Sequence, residues 1–368
     1  MRIIIAGGGT GGHLFPGIAI AEAFMKQDPS NSVLFVSSGN PFELSVLSKT
    51  DFRFEKIASE GIKDRILMNK IKSVIKIPRG MFQAMLILKK FKPDLVVGVG
   101  SYSSGPPVLC AWLLGINIVL HEQNILPGIT NRILSYFADR IYVSFKKTQM
   151  AFKRKKVYLS GNPVRKEIIR VSQKQLNTNT YDNEYAFIQN NLFTILIIGG
   201  SQGARRINTV IIDTLTHLKA KDSFFFVHQT GAVDEEKVKR AYLSHGLACN
   251  VKPFFSDMGL QYKLADLVIC RAGATTISEI TAIGKGAILI PYPFAADNHQ
   301  VLNALTLADI GAAEMIVEKD LNAKLLASRI DFYASSPDAL DLMATRSKTL
   351  GRPNAAEDIV NACYDLMD

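Results

Sequence analysis

Short apolar runs alternate with longer amphipathic stretches along the whole chain. In the first half the runs fall at Ile3–Ala6, Val33–Ser37, Leu95–Val99, Ile118–Leu120 and Arg140–Val143. In the second half they fall at Ile195–Ile198, Phe224–His228, Val251–Phe254, Leu267–Ile269 and Ala287–Ile290. Runs this continuously apolar suit strands covered on both faces, and the intervening periodicity suits helices. The alternation, with short connections, predicts an α/β chain whose two halves are each a doubly wound parallel sheet. A polar, asparagine-rich stretch between Ser172 and Asn191 separates them. The expected division is therefore 1–165, a linker over 166–192, and 193–353, with a last helix at 354–368 packing back on the first domain.

Each half opens on a glycine-rich turn. Arg2-Ile-Ile-Ile-Ala-Gly-Gly-Gly-Thr-Gly-Gly-His13 and Thr194-Ile-Leu-Ile-Ile-Gly-Gly-Ser-Gln-Gly-Ala204 both read as strand, tight turn and helix start. Backbone N–H groups and the positive helix end make such a turn receptive to anions. Two of them, equivalently placed, predict paired Rossmann-like domains facing each other across a nucleotide-sized cleft. Gly7 to Gly12 also fit the dinucleotide pattern G-x-G-x-x-G, which requires an acid at the end of the second strand to hold a ribose. That strand ends Val36-Ser37-Ser38-Gly39, so the dehydrogenase reading lacks its confirming residue.

Composition narrows the class further. Cys110, Cys249, Cys270 and Cys363 stand far apart without metal-ligand or redox spacing, which suits reduced, buried thiols. The chain enters its first strand at once, leaving no room for a signal peptide, and glycines and prolines break its longest uncharged span, Leu95–Leu120. A cytoplasmic protein is expected. The net charge of +10 is concentrated: nine basic residues against the single acid Asp64 lie between Gly61 and Lys92, interleaved with Ile66, Leu67, Met68, Ile71, Val74, Ile75, Ile77, Met81 and Phe82. Such a stretch is either an ordinary amphipathic helix or a face for an anionic membrane. No stacking-aromatic pattern supports nucleic acid.

Several polar clusters sit at strand ends. His13 closes the first turn at a helix start, where the positive helix end favours a neutral ring able to take a proton. Gly98-Val-Gly-Ser-Tyr-Ser-Ser-Gly-Pro106 forms a third glycine-rich turn, and His121-Glu122-Gln123-Asn124 follows an apolar run so abruptly that it reads as cleft lining. Arg165 follows the turn Gly161-Asn-Pro-Val and suits a diphosphate. In the second half Arg271-Ala-Gly-Ala-Thr-Thr-Ile-Ser-Glu279 places Glu279 about one helical turn in, to accept from ribose hydroxyls. Asp297-Asn-His-Gln-Val-Leu-Asn303 offers paired donors and acceptors to a sugar.

Taken together, Gly8 to His13, Gly199 to Gly203 and Arg271 to Glu279 resemble, across essentially the whole chain, the MurG family of glycosyltransferase family 28. The resemblance implies a GT-B fold and inverting transfer of GlcNAc from UDP-GlcNAc to the MurNAc 4-hydroxyl of lipid I, giving lipid II. It implies His13 as base, and an acceptor side formed by Gly9, Thr10, His13, Ser101, Tyr102 and Ser104. The donor would be held by Thr10, Gly11, Gly12, Ala274, Thr275 and Glu279, with Glu279 on the ribose. Arg165, Ser201, Gln202 and Gly203 would meet the phosphates, and Asn124, His299, Gln300 and Asn303 the GlcNAc. Two positions depart from the family pattern: Ser101 stands where a glycine is usual before Tyr102, and His299-Gln300 where some relatives carry two glutamines. No cofactor is implied, and the chain has no Asp-x-Asp pair of the metal-dependent transferases. The resemblance also turns the basic stretch 61–92, with Trp112 alongside, toward the cytoplasmic face of the inner membrane as a peripheral docking surface. Competing readings are a UDP-GlcNAc epimerase on the same fold, an NAD-dependent oxidoreductase, and a non-catalytic lipid- or nucleotide-binding protein.

Overall fold

The computed structural model describes residues 1–59, 67–153, 156–173, 192–200 and 203–367, with 67–77 and 172–173 as backbone only. The chain divides into two units, Met1–Arg165 with Arg352–Asp368, and Lys166–Gly351. The first unit holds seven strands: β1 Arg2–Ala6, β2 Ser32–Ser37, β3 Arg53–Lys56, β4 Leu95–Gly98, β5 Asn117–Glu122, β6 Arg140–Val143 and β7 Val157–Leu159. All pair in parallel in the order β3-β2-β1-β4-β5-β6-β7. The second holds β8 Phe193–Ile198, β9 Phe224–Gln229, β10 Ala248–Lys252, β11 Leu267–Cys270, β12 Gly286–Leu289 and β13 Glu314–Met315. These too are parallel, in the order β10-β9-β8-β11-β12-β13. Both sheets reverse direction of strand progression beside their first strand, and ligands of such sheets bind beyond the strand C-termini at that point.

The reason β1 reads Ile3-Ile4-Ile5 is visible in its packing. Successive strand residues face opposite sides. Ile3 and Ile5 join Leu14, Phe24, Phe35 and Val97 on one face. Ile4 and Ala6 join Val36, Leu88, Val96 and Leu120 on the other. A third core, built on Ile195, Ile197, Phe226, Tyr242 and Ile288, fills the second unit. The helix Ala355–Met367 lies on the helix Gly11–Gln27 in the first unit. Asn31 there donates to the Tyr364 hydroxyl at 2.8 Å.

Three strands, all at sheet edges, were not expected from the sequence: β3 and β13, which carry no apolar run, and β7, whose run Val157-Tyr-Leu159 is only three residues long. Part of the expected linker is also structured, since Lys166–Gln173 is a helix of the second unit packed on the helix Met258–Leu264. The rest, 174–191, lies outside the described residues, as do positions 60–66 of the basic stretch.

One buried network anchors the second sheet to its helices. Fully buried His228 accepts from the Tyr242 hydroxyl at Nδ1 (3.1 Å) and donates from Nε2 to Asn208 Oδ1 (3.1 Å). Asn208 in turn donates to the Thr230 carbonyl and to Asp234. Burial pushes the His228 imidazole down to about 3. The unfolded chain takes up this proton below pH about 6.5, the folded chain only near 3, so the stability is complete above 6.5 and falls as pH drops. Moving from pH 7 to pH 5 should cost about 2 kcal/mol through this residue alone. Urea unfolding followed at both pH values should show the loss, and His228→Gln should remove its share; an unchanged pH slope in the variant would contradict the assignment.

Candidate active site

The first half-site begins with three successive glycines, Gly7, Gly8 and Gly9, at φ +126°, +154° and +90°, a region that L side chains rarely enter. What holds this turn is a carboxylate. The helix Pro41–Leu47 opens with a capping box, Asn40 accepting from the Glu43 N–H and Glu43 from the Asn40 N–H. Glu43 is fully buried, and its Oε1 accepts from the Gly9 N–H at 2.5 Å, while Ser38 Oγ donates to Oε2. Asn40 closes the clamp by donating to the Gly9 carbonyl. The acid absent from the end of β2 thus arrives six residues later and binds the loop backbone, not a ribose. The sequence signal was Asn40-Pro41-x-Glu43, a helix-start pattern.

His13 sits in the first turn of the helix Gly11–Gln27, half-buried against the turn that follows β4. Its Nδ1 lies 3.0 Å from the Val99 carbonyl and 3.0 Å from Gln123 Oε1. Both are acceptors, so the neutral ring carries its proton on Nδ1 and keeps the lone pair of Nε2 for another partner. A side chain on Gly100 (φ +88°) would stand 3.0 Å from that Nδ1, which is why glycine is needed there. Ser101 next to it adopts φ +71°, ψ 164°, essentially a glycine-only region, and holds about 1–3 kcal/mol of strain. Tyr102 is exposed. Ser104 is fully buried and donates to the Ser101 carbonyl at 2.8 Å, so it shapes the turn from beneath and offers no surface to an acceptor.

The tetrad after β5 also departs from the expected lining role. His121, Glu122 and Gln123 are all buried. Glu122 accepts from the N–H groups of Asn124 and Gly128 and from Asn131 Nδ2, which folds the following loop and leaves Asn124 half-exposed. Burial pushes His121 down to about 4, so it is neutral at pH 7. Arg165 lays its guanidinium over the Phe15 ring at 4.4 Å, two residues along the helix from His13. Thr10, Gly11 and Gly12 form the helix start, with the Thr10 carbonyl accepting from His13 and Leu14.

In the second unit the turn after β8 uses Gly200 (φ +89°) and Gly203 (φ +75°), the latter donating back to the Gly200 carbonyl at 3.1 Å. Gln229 supports it, donating to the Gly200 carbonyl and accepting from the Phe255 N–H. Ser201 and Gln202 lie outside the described residues. After β11, Gly273 caps the helix Ala274–Ile283. Ala274 is buried and Thr275 half-buried. Glu279 exposes only 4% of its surface, and Tyr262 donates to its Oε2 at 2.9 Å. This hydrogen bond orients the carboxylate.

Beyond β12, Asp297 and Asn298 both adopt left-handed backbone (φ +51° and +56°) and launch the helix His299–Ala308. His299 donates from Nδ1 to the Ala296 carbonyl at 2.7 Å, and Gln300 accepts from the Tyr292 N–H at 2.9 Å. Asn303, expected at the sugar, is fully buried and donates to the Ala272 carbonyl at 3.2 Å, which holds the turn from which Glu279's helix starts. Arg271 braces the same region, bonding the Ile290 and Pro291 carbonyls and pairing with Glu318. Glu43, Gln229, Tyr262 and this bracing role of Arg271 were not read from the sequence, because each acts through backbone brought near only by folding.

Two Rossmann-type sheets, each with a glycine turn at its switch point, define the GT-B class of nucleotide-sugar enzymes. The description of glycosyltransferase family 28 N-terminal domains matches residues 3–143 and that of the C-terminal domains residues 194–359. A UDP-N-acetylglucosamine--N-acetylmuramyl-(pentapeptide) pyrophosphoryl-undecaprenol N-acetylglucosamine transferase of Syntrophus aciditrophicus is 46% identical over 368 residues, covering 100% of this chain and 99% of the relative. The protein of that name from Myxococcus xanthus is 41% identical, over 100% of this chain and 93% of its own. The crystal structure of Acinetobacter baumannii MurG superposes with a TM-score of 0.75 at 29% identity, over 99% of both chains. A UDP-GlcNAc 2-epimerase of Neisseria meningitidis shares the fold (TM-score 0.69) at 15% identity over 99% of this chain and 100% of its own. The chain belongs to glycosyltransferase family 28, among the MurG-type N-acetylglucosamine transferases.

Among the described residues, no group of three or more His, Cys, Asp and Glu could hold a metal ion. Removing the clamp in Glu43→Ala should destabilise the first unit by about 1–3 kcal/mol, because the part-buried N–H groups of Gly9 and Asn40 lose their carboxylate acceptor. Denaturant unfolding measures this, and a loss below 0.5 kcal/mol, within the range of an ordinary surface change, would contradict it.

Proposed function

We propose that this enzyme transfers GlcNAc from UDP-GlcNAc to the 4-hydroxyl of MurNAc on undecaprenyl-diphosphate-linked MurNAc-pentapeptide, with inversion, converting lipid I to lipid II. The observation that carries the chemistry is that His13 Nδ1 lies 3.0 Å from two acceptors, the Val99 carbonyl and Gln123 Oε1, an arrangement that assigns the ring proton to Nδ1. It leaves Nε2 as a proton acceptor at the strand-end turns where such sheets bind ligands. In a single displacement the acceptor hydroxyl gives its proton to Nε2 as its oxygen bonds the anomeric carbon. The bond from that carbon to the diphosphate breaks with its electron pair, releasing UDP.

The leaving diphosphate gathers negative charge, and the two glycine turns are not equivalent toward it. The Gly9 N–H is already given to the Glu43 carboxylate, whereas the second turn is held by its own backbone and by the neutral Gln229 amide. Among the described residues this contrast favours the second turn, Gly199–Gly203, as the phosphate site in this reading. Glu279 accepts from the ribose, Asn124, His299 and Gln300 meet the GlcNAc, and Gly9, Thr10, Ser101 and Tyr102 face the acceptor. No resident metal is required on this account, so turnover should survive EDTA. His13→Ala should lower kcat by about 10²- to 10⁴-fold with the KM for UDP-GlcNAc little changed. Glu279→Ala should weaken UDP binding. Steady-state kinetics and UDP titration test both, and wild-type turnover in His13→Ala would remove it as the base.

We also infer peripheral attachment to the cytoplasmic face of the inner membrane. No helix among the described residues is long and apolar enough to cross a membrane. On the helix Leu67–Phe91, Phe82 (66% exposed) and Leu86 (53%) stand outward one turn apart, with Arg79, Lys89 and Lys90 also exposed. Trp112 and Leu113, on the neighbouring helix Gly105–Leu113, are more than half exposed. Apolar groups ringed by cations suit an anionic lipid surface. Sedimentation with phosphatidylglycerol vesicles should retain the protein at low salt, and Phe82→Ser with Leu86→Ser should release it; equal retention of the variant would place the contact elsewhere.

A further inference from the structure

We infer that Gln123 is a positioning residue that sets the proton on His13, and that its own direction is dictated by a chain of hydrogen bonds running from the Gly161 carbonyl through His121. This rests on the reading of His13 as the base. The bonds themselves are direct. His121 Nε2 lies 3.2 Å from the Gly161 carbonyl, and its Nδ1 lies 3.1 Å from Gln123 Nε2. Gln123 Nε2 is also 2.9 Å from the Val99 carbonyl, and Gln123 Oε1 is 3.0 Å from His13 Nδ1. Gln123 is 1% exposed and His121 fully buried, so water does not compete for these groups.

Each link permits one polarity. A backbone carbonyl only accepts, so the Gly161 oxygen requires the proton of His121 on Nε2. A neutral ring has one proton, and burial keeps His121 neutral, so its Nδ1 accepts. The Gln123 amide must then turn its NH₂ toward both that Nδ1 and the Val99 carbonyl, using both hydrogens. Its oxygen is left facing His13, whose Nδ1 must donate. The flipped amide would set Oε1 against the lone pairs of His121 Nδ1 and the Val99 carbonyl, leaving the buried His121 Nδ1 unpaired at about 1–3 kcal/mol. In water neutral imidazole prefers its proton on Nε2, which would make that atom a donor. The relay across the ends of β7, β5 and β4 reverses this preference and frees Nε2 to take a proton. Val99 contributes to the same end, so loss of Gln123 weakens the bias without abolishing it. Where an orienting partner of a catalytic histidine is lost and the tautomer becomes wrong, turnover falls by up to about 10⁴-fold.

The test uses the full chain labelled with ¹⁵N-histidine, reading each ring's tautomer from long-range ¹H–¹⁵N spectra, alongside kcat and KM with a short-chain lipid I analogue. The wild type should show His13 protonated on Nδ1 and His121 on Nε2. Gln123→Leu should shift His13 toward a mixture of tautomers and lower kcat by about 10- to 100-fold, with KM for UDP-GlcNAc within about twofold. Gln123→Glu, which keeps an acceptor for His13 but offers no donor to His121, should hold His13 on Nδ1 and put a second proton on His121. Simple packing has no reason to produce that signature, and it is available even if the leucine variant does not fold. A wild-type His13 protonated on Nε2, or Gln123→Leu with an unshifted tautomer, would overturn the inference. A shifted tautomer with unchanged kcat would instead leave the relay standing and remove His13 as the base.

Discussion

The parallel pairing of β1 with β4 is the constraint on which the first half-site depends. It sets Ala6 beside Gly98, so two turns leave the sheet side by side at its switch point. They can do so only as glycines: a side chain on Gly7 would run into the Gly100 carbonyl, and one on Gly100 into His13. Given that approach, the Val99 carbonyl falls within bonding distance of the imidazole. The proton on His13 is thus a consequence of strand register before any side chain is considered. Ser101 shows how tightly the turn is defined, since a residue with a side chain adopts glycine-only backbone there.

The second sheet repeats the order but not the chemistry. Its pairing of β8 with β11 brings Ile198 beside Cys270, and the turns that follow are Gly199–Gly203 and Arg271–Gly273. Here the supports are neutral or cationic: Gln229 beneath the glycine turn, Asn303 beneath Ala272, Arg271 against the carbonyls of residues 290 and 291. In the first unit the corresponding support is the Glu43 carboxylate. One duplicated architecture therefore carries a first turn bound to a carboxylate of its own and a second whose described supports are neutral or cationic.

What the sequence disclosed follows from where its signals are local. Central strands buried on both faces write themselves as apolar runs, so β1, β4, β8 and β11 were legible, as were the glycine turns and His13 behind them. Edge strands β3 and β13 lie at the ends of their sheets and leave no such run, and β7 leaves one of only three residues. The polar tetrad after Leu120 was visible, yet its burial was not. Sequence shows that His121 and Glu122 are polar, but only the fold shows β5 running through both and their partners waiting at Gly161 and Asn131. Asn303 and Ser104 were likewise legible as polar, but not as buried residues that satisfy backbone from below the surface. Glu43 was hidden because its partner, Gly9, is 34 residues away in sequence.

The central claim is that the two units together perform an acceptor-dependent glycosyl transfer. It is tested most directly by measuring UDP release from UDP-GlcNAc with and without a lipid I analogue bearing a short prenyl chain, and by determining the linkage formed. The account predicts release only when acceptor is present, with a β-1,4-linked GlcNAc on the MurNAc unit. Release or isomerisation of the donor without acceptor would contradict it and move the protein toward the epimerases that share its fold.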